Sequence, residues 1–427
     1  MKRELSCLIA AACLAQNPPA PSLLSRGLLP DLGTRPPEKL FRADIGALTG
    51  YDTGALTTEF DRGAGPFQEV EGGVAARRRT SRADIRLDYR FGLRHHTRIE
   101  RLDRSNHALS LDARFRLSRR WAIQLRDTAA SSSFGASFPE PADALGPGFF
   151  IDGGPEVFHS RTVANTALGD LVFSPSARTS VSIGGDGFVV RRQYHGLSDV
   201  SGWRARADLA RRYARNKTLT FSYSFTHFDY SLAFGGADYA VYAVGHSLRL
   251  GKRSELDLLA GAGHLRSAGV RRVELDPEIA RLFGTSRGAE IFRVRTWTPH
   301  VLASWTQGVG SGQVRAQFSR WVSDGGGLSG LTRQNQGTLT LAAPPADGWR
   351  LAAGLSARTF RSLDTLLFDS TTATAGFTLA RRLNRRAEAV LRYHYAFYNF
   401  NRGLLHLFHR HQAAAGVVIH FQDLPNR

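Results

Sequence analysis

Residues 218–226 read TLTFSYSFT, and every second side chain in this stretch is apolar. The apolar positions are Leu219, Phe221, Tyr223 and Phe225, and the polar positions are Thr218, Thr220, Ser222, Ser224 and Thr226. A repeat of two residues places alternate side chains on opposite faces of a β-strand, whereas a helix would need a repeat near 3.6. We therefore predict a strand with one apolar face and one polar face.

The same alternation recurs along the chain from about residue 80 onward. Further examples begin at Ile85, Leu109, Trp349, Ala389 and Ala413. These segments run for about ten residues, which is the length that a tilted strand needs to cross a bilayer, whereas soluble strands average about five or six. Because lipid offers no hydrogen-bond partner to an open sheet edge, strands of this kind must close into a barrel.

Short, turn-like joins alternate with longer joins between the predicted strands. Short joins include residues 118–120, 174–177 and 214–217, and long joins include residues 129–161 and 266–292. This order is typical of an up-and-down antiparallel barrel with tight turns on one rim and larger loops on the other. We predict an all-β transmembrane barrel of about 16 strands, within a range of about 14–18. Residues 40–72 could supply one more hairpin, and residues 279–283, after Asp276-Pro277-Glu278, form a short predicted helix.

The composition excludes several classes of protein. The chain has 427 residues and a formal net charge of +19, with 42% hydrophobic and 22% charged residues, a balance that argues against wholesale disorder. No apolar run is long enough for a transmembrane helix. Two cysteines exclude a disulfide scaffold and a cysteine-based zinc site. No zinc-protease helix motif, P-loop or nucleophile elbow occurs, so we predict no enzyme and no cofactor. For His406, His409 and His411, an exposed loop is favoured over a metal site.

The first residues resemble an export signal. Lys2 and Arg3 precede a compact apolar segment, Leu5 to Leu14, and a cleavage after Ala15 fits the signal-peptide pattern. A lipidated Cys13 or a buried helix of a cytosolic protein is the alternative interpretation. We predict a signal peptide over residues 1–15 and a Pro/Gly-rich periplasmic segment over 16–79. The barrel would occupy 80–421 and a periplasmic tail 422–427.

From about Arg82 to Phe421 the chain resembles bacterial outer-membrane β-barrels of general-porin size. The resemblance rests on the strand pattern, the alternation of joins and the final predicted strand, Ala413 to Phe421. It implies a location in the bacterial outer membrane. It also implies that Phe421 is the terminal aromatic residue that the barrel assembly machinery reads, although residues 422–427 follow it here.

Arginine supplies nearly all of the positive charge, and many arginines fall on the polar face of predicted strands. The predicted pore-lining residues are Arg82, Arg86, Arg90, Arg114, Arg116, Arg126, Arg204, Arg206, Arg350, Arg358 and Arg392. An excess of guanidinium groups in a lumen would favour anions. Two alternatives remain open: these arginines pair with acidic residues on the same face, or the genome simply favours arginine codons over lysine codons.

Arginines in the predicted loops and turns are candidate contacts for lipopolysaccharide phosphates or anionic headgroups of membrane lipid. They are Arg94, Arg98, Arg101, Arg104, Arg119, Arg120, Arg271, Arg272, Arg381, Arg382, Arg385 and Arg386. Nucleic acid is an unfavoured partner because the export signal and the barrel pattern oppose it. Nothing in the sequence indicates an oligomeric state.

Aromatic residues cluster where the strands would meet the two membrane interfaces. Trp121 and Trp349 directly follow tight turns, and Tyr393, Tyr395 and Phe397 lie toward the other end of their strand. We predict that these five residues belong to aromatic belts. The alternative for each tryptophan is an ordinary core side chain.

The favoured function is a passive, anion-leaning pore for small solutes. Three other hypotheses remain open: an export conduit for an acidic polysaccharide, a non-conducting structural or adhesive surface barrel, and an outer-membrane hydrolase. A soluble secreted all-β protein is a further alternative.

Overall fold

The computed structural model describes thirteen segments of the chain. They are residues 38–56, 62–97, 103–132, 161–193, 198–231, 235–251, 253–274, 276–310, 312–323, 331–343, 348–363, 369–400 and 407–422. Within them lie eighteen strands and one short helix. The predicted signal peptide, His406 and the end of the predicted tail lie outside the described residues.

The first nine strands are β1 Glu38–Leu56, β2 Arg62–Arg79, β3 Ala83–His96, β4 Arg104–Arg116, β5 Trp121–Ser132, β6 Thr162–Ser176, β7 Thr179–Arg192, β8 Val200–Ala214 and β9 Lys217–Tyr230. The other nine are β10 Gly235–Arg249, β11 Ser254–Glu274, β12 Arg287–Val309, β13 Gly312–Ser323, β14 Thr332–Ala342, β15 Trp349–Ser362, β16 Ser370–Arg382, β17 Ala387–Phe400 and β18 Leu407–Gln422.

The sheet is a closed antiparallel barrel. Each strand pairs with the next one in sequence, and β1 pairs with both β2 and β18. The closing seam runs in register from Ala43 opposite Phe421 to Tyr51 opposite Ala413. Closure leaves no open sheet edge, so the strands satisfy one another's backbone groups around the whole circumference. The predicted fold class, an up-and-down all-β barrel, is confirmed.

The barrel has eighteen strands rather than about 16, because residues 38–79 form a full hairpin, β1 and β2. The structure therefore moves the start of the barrel from residue 80 to residue 38. Glycines weaken the apolar alternation in this hairpin, and packing explains one of them. A Cβ on Gly50 would lie 2.3 Å from the carbonyl oxygen of Ala413 and 2.6 Å from the Phe67 ring.

The two faces of β9 follow the predicted alternation. Phe221 on one face is 49% exposed, whereas Thr220 and Thr226 on the other face are buried. The exposed apolar set continues around the outside with Leu125, Leu171, Ile183, Leu258 and Leu355. The outside of the barrel is therefore an apolar band suited to acyl chains, and the polar face points inward.

The β11–β12 hairpin extends past its neighbours and carries α1, Pro277–Phe283, at its end. The Asp276 side chain caps this helix by accepting a hydrogen bond from the backbone N–H of Glu278 at 2.9 Å, and Gly284 ends it with φ of 63°. The predicted short helix is confirmed. Among the described residues, no helix has the length and hydropathy needed to cross a membrane.

Candidate functional site: the luminal wall

The structure places ten of the eleven predicted pore-lining arginines at inward-facing positions of strands. Arg82 is the exception, because it lies exposed in the bend between β2 and β3, where its backbone carbonyl accepts a hydrogen bond from Arg116. The prediction for Arg82 is corrected: it belongs to a tight turn and not to a luminal face.

One part of the inner surface consists of ion pairs that join adjacent strands or reach across one or two intervening strands. The pairs join Arg90 to Asp44 at 2.9 Å, Arg94 to Glu69 at 2.6 Å, Arg392 to Glu71 at 2.6 Å and Arg410 to Asp52 at 2.7 Å. We call these eight residues the charged wall; they lie on β1–β3, β17 and β18. Arg392 and Glu71 form two parallel hydrogen bonds, the two-pronged geometry in which a guanidinium binds a carboxylate most strongly.

A cavity of about 300 Å³ opens on the charged wall. Charged side chains that line it are Glu69, Glu71, Arg90, Arg94 and Arg392, with Asn106, His394 and Gln412 beside them. In two of the four pairs the guanidinium side chain reaches the water clearly more than its carboxylate partner does. Arg90 is 44% exposed against 14% for Asp44, and Arg392 is 36% exposed against 23% for Glu71. The surface that a solute would meet is therefore richer in positive than in negative charge.

Other predicted arginines are paired out of reach of a solute. Arg204 binds Asp186 with both partners almost fully buried, and Arg206 donates from Nε to Asp170 at 3.0 Å. Arg350 likewise pairs with buried Glu388. These three pairs favour the structural-pairing interpretation of the arginines on this part of the wall.

The remaining predicted arginines are neither as exposed as Arg90 at the cavity nor as buried as Arg204. Arg126 and Arg114 share Asp112, at 3.0 Å and 3.2 Å, and Arg86 pairs with Asp88 at 2.7 Å. Arg116 lies at the tight-turn end of β4 and Arg358 lies near the Phe360 ring.

Sequence reasoning missed four carboxylates and two arginines of the charged wall. Asp44, Asp52, Glu69 and Glu71 belong to the hairpin that was not counted as barrel, and Arg94 was assigned to a loop although β3 continues to His96. Arg410 lies on β18, three residues before the predicted start of the last strand. Val70 lies between Glu69 and Glu71, and this short polar–apolar–polar alternation is the signal that could have revealed β2.

A second part of the inner surface is filled with apolar side chains. We call it the packed wall; its core includes the buried residues Phe188, Val190, Val200, Phe228, Ala237, Tyr239, Val241, Leu259, Leu265 and Leu302 on β7–β12. Phe188 and Phe228 meet edge to face at 5.8 Å between ring centroids. The Tyr239 hydroxyl lies 3.4 Å from Thr298 Oγ1. Side chains here are as buried as those in the core of a soluble protein, although they point into the barrel.

The five predicted belt residues lie on the outside of the barrel; Trp121 and Trp349 begin β5 and β15, whereas Tyr393, Tyr395 and Phe397 follow one another from the middle of β17 toward its end. Trp121 contacts the Phe173 ring at 4.5 Å and the Arg381 guanidinium lies over the Trp349 ring at 5.2 Å, both at the tight-turn rim. On β17, Tyr393 and Tyr395 hydrogen-bond to His411 and His409 at 2.8 Å and 2.7 Å, and Phe397 packs beside His409. The belt role of these residues stays a proposal.

His409 and His411 therefore lie on β18 and not in a loop. The part of the chain that the structure describes contains no group of three or more histidine, cysteine or acidic side chains that could hold a metal ion.

Phe421 lies next to last in β18, with its side chain exposed on the outside. Its role as an assembly signal stays a proposal.

A closed barrel with an apolar exterior and a polar, ion-paired interior has the properties that a bilayer demands of a β-protein. The chain has the architecture of a transmembrane β-barrel of the porin-like kind.

Several solved structures have a similar fold. Pseudomonas aeruginosa OccK2 (OpdF) has a TM-score of 0.45 at 12% identity, over 91% of this chain and 98% of that chain. The ferric-catecholate import receptor Fiu from E. coli K12, in its open form, has a TM-score of 0.44 at 9% identity, over 90% of this chain and 82% of that chain. Pseudomonas aeruginosa OpdQ has a TM-score of 0.42 at 9% identity, over 90% and 98%. No protein-family model and no curated protein matches the chain. The similarity is therefore one of fold, and the function has to be argued from the barrel itself.

Proposed function

We propose that the protein is a passive outer-membrane channel for small polar solutes and that its lumen leans toward anions. The observation that carries the proposal is the unequal exposure of the ion pairs on the charged wall. Arg90 and Arg392 line the cavity, and both are more exposed than their partners Asp44 and Glu71. A solute passing the cavity would meet donors that favour carboxylate or phosphate groups.

The route would follow the charged wall because the packed wall offers no room on its side of the barrel. Tyr239, Phe228 and Leu265 are fully buried there. Small anions or acidic sugars fit a path lined by paired charges, since each guanidinium can share a solute's anionic group without leaving its carboxylate unpaired in a dry environment. No covalent chemistry is needed for such a role.

Planar-bilayer recording tests this proposal. The purified barrel should give ohmic steps, and a KCl gradient should give a reversal potential of the sign that indicates anion preference. The double substitution R90Q/R392Q should shift that potential toward cation preference. The matched variant R381Q, on the outside of the barrel beside Trp349, should leave it unchanged. A silent bilayer, or a potential that the double substitution does not move, would refute the proposal.

A second function is favoured by the packed wall. Inward-facing apolar side chains as buried as those of a soluble core suit a barrel that does not conduct and that serves as a structural or adhesive surface protein. Silence in the bilayer from correctly folded protein would support this second function.

A further inference from the structure

Three arginines lie close together on the outside of the barrel, near the long-loop rim. Arg320 on β13, Arg333 on β14 and Arg361 on β15 each lie within four residues of the end of their strand at that rim. They occupy outward-facing positions, since Trp321 and Gln334, their neighbours in sequence, point inward and are buried. We call these three residues the outer arginine cluster.

The register brings like charges together. Arg333 and Arg361 are direct partners across β14 and β15. One position along the sheet, Arg320 is the partner of Asn335, whose side-chain amide donates to Thr359 at 3.0 Å. Like charges directly opposite each other in a sheet are destabilising. Such an arrangement costs stability unless an anion lies between the guanidinium groups.

The cluster also has unused hydrogen-bond capacity. The Nε atoms of Arg320 and Arg333 are both buried, and neither has a hydrogen-bond partner. Arg320 and Arg361 both act electrostatically on Arg333, and Asp369 is the carboxylate that acts on it in the opposite sense. The positive charge of three guanidinium groups therefore exceeds what this acid can balance.

The position of the cluster points to a lipid rather than to a soluble anion. Below it on the same outer face lie Phe318, Leu339 and Leu355, all exposed and all part of the apolar band. Leu339 and Leu355 are direct partners across the same two strands. A ligand on this surface has acyl chains beside the apolar side chains and its headgroup beside the arginines.

We propose that the outer arginine cluster binds a phosphate group of an anionic glycolipid in the outer leaflet. Guanidinium groups bind phosphate in a two-pronged way and tolerate desolvation better than an ammonium group does. One phosphate between Arg333 and Arg361, with Arg320 at its side, would turn the repulsion between these residues into shared attraction. This site is separate from the lumen and would exist whether or not the barrel conducts.

The chain supplies a matched control on its own surface. Arg266 and Arg295 are also direct partners on the outside, across β11 and β12. Arg266 has Asp238 as its partner on the other side, and both arginines are exposed. Their repulsion is thus relieved by an acid and by water, so this pair does not need a bound phosphate.

The test measures lipid binding to the full barrel in detergent by native mass spectrometry. The probes are bisphosphorylated lipid A, the same glycolipid without phosphates, and inorganic phosphate as competitor. We expect the wild-type barrel to hold the phosphorylated lipid at least about tenfold more tightly than R320Q/R333Q/R361Q, a difference of about 1.4 kcal/mol. The control R266Q/R295Q should bind like wild type, and the lysine variant R333K should retain part of the affinity.

Three results would overturn the proposal. They are equal binding by the triple variant, equal binding of the lipid without phosphates, and loss of lipid when inorganic phosphate is added at low millimolar concentration, which would indicate a site for a soluble anion. If the triple variant does not fold, as judged by its heat-dependent mobility on a gel, the single variant R361Q at the exposed end of the cluster replaces it. A binding loss of less than about twofold in R361Q would then count against the proposal.

Discussion

The charged wall and the packed wall are built from the same kind of strand, with alternate side chains pointing inward, yet their inner surfaces behave differently. On the charged wall, Arg90 and Arg392 stay in contact with water beside their carboxylates. On the packed wall, Tyr239 and Leu265 are buried as in a soluble core, and Arg204 binds Asp186 out of reach of water. The comparison teaches that closure of the sheet does not decide whether a lumen is open; the inward-facing side chains do.

The largest effect on the free energy of unfolding is expected when a buried ion pair is broken. This effect also distinguishes the packed wall from the charged wall most clearly. D186N removes the carboxylate that binds buried Arg204. We expect a loss of about 3–5 kcal/mol in the free energy of unfolding, because a charge stays buried without its partner. Urea unfolding in detergent micelles measures it.

The control for this prediction is D44N on the charged wall. The partner of Asp44, Arg90, is 44% exposed and can be solvated by water. D44N should therefore lower the free energy of unfolding by no more than about 1 kcal/mol. Equal losses in D186N and D44N would mean that the two walls do not differ in burial.

An added methyl group tests how tightly the packed wall is filled. Its effect on the free energy of unfolding should be somewhat smaller. A Cβ on Gly263 would lie within 2.4 Å of the Tyr239 ring, which is itself fully buried and cannot move away freely. We expect G263A to lower the free energy of unfolding by about 1–3 kcal/mol, as overpacking does. Gly337 on β14 has open space where a Cβ would lie, so G337A should change stability by less than about 0.5 kcal/mol. Equal effects of the two substitutions would show that Tyr239 has room to move.

The smallest effect is expected from a substitution that removes a charge but keeps the shape of the side chain. It tests whether Glu71 on the charged wall influences ion selectivity. E71Q leaves Arg392 without its ionised partner beside the cavity. We expect a shift of the reversal potential toward greater anion preference, opposite in sign to the shift caused by R90Q. The shift should be larger in 0.1 M than in 1 M KCl, because the screening length falls from about 10 Å to about 3 Å. A shift toward cations, or no dependence on salt, would contradict this role of Glu71.

Much of the barrel could be predicted from the sequence because its physics is local. The alternation around Phe221 and Leu351 fixes which side chains face lipid, and the order of short and long joins fixes the up-and-down topology. The first hairpin was harder to recognise, because Gly46, Gly50, Gly72 and Gly73 interrupt the apolar pattern that marks a strand.

The pairing of charges could not be predicted in the same way. Arg392 binds Glu71, which is 321 residues away in the sequence, and the contact exists only because β18 closes onto β1 next to β2. The packed wall is hidden for another reason. Residues 239–244 are apolar on both faces, so the sequence does not indicate that one face packs inside the barrel.

The central claim is that water fills the lumen only on the side of the charged wall. Two matched alanines allow it to be tested most directly. Ala108 lies on the inner face of β4 at the cavity, and Ala237 lies buried in the packed wall near the same rim. In a chain with Cys7 and Cys13 replaced by alanine, A108C and A237C can be treated with a charged, membrane-impermeant thiol reagent. Rapid labelling of A108C with protection of A237C is the result expected if water fills only the side of the charged wall. Equal labelling of the two cysteines, or protection of A108C, would contradict the account.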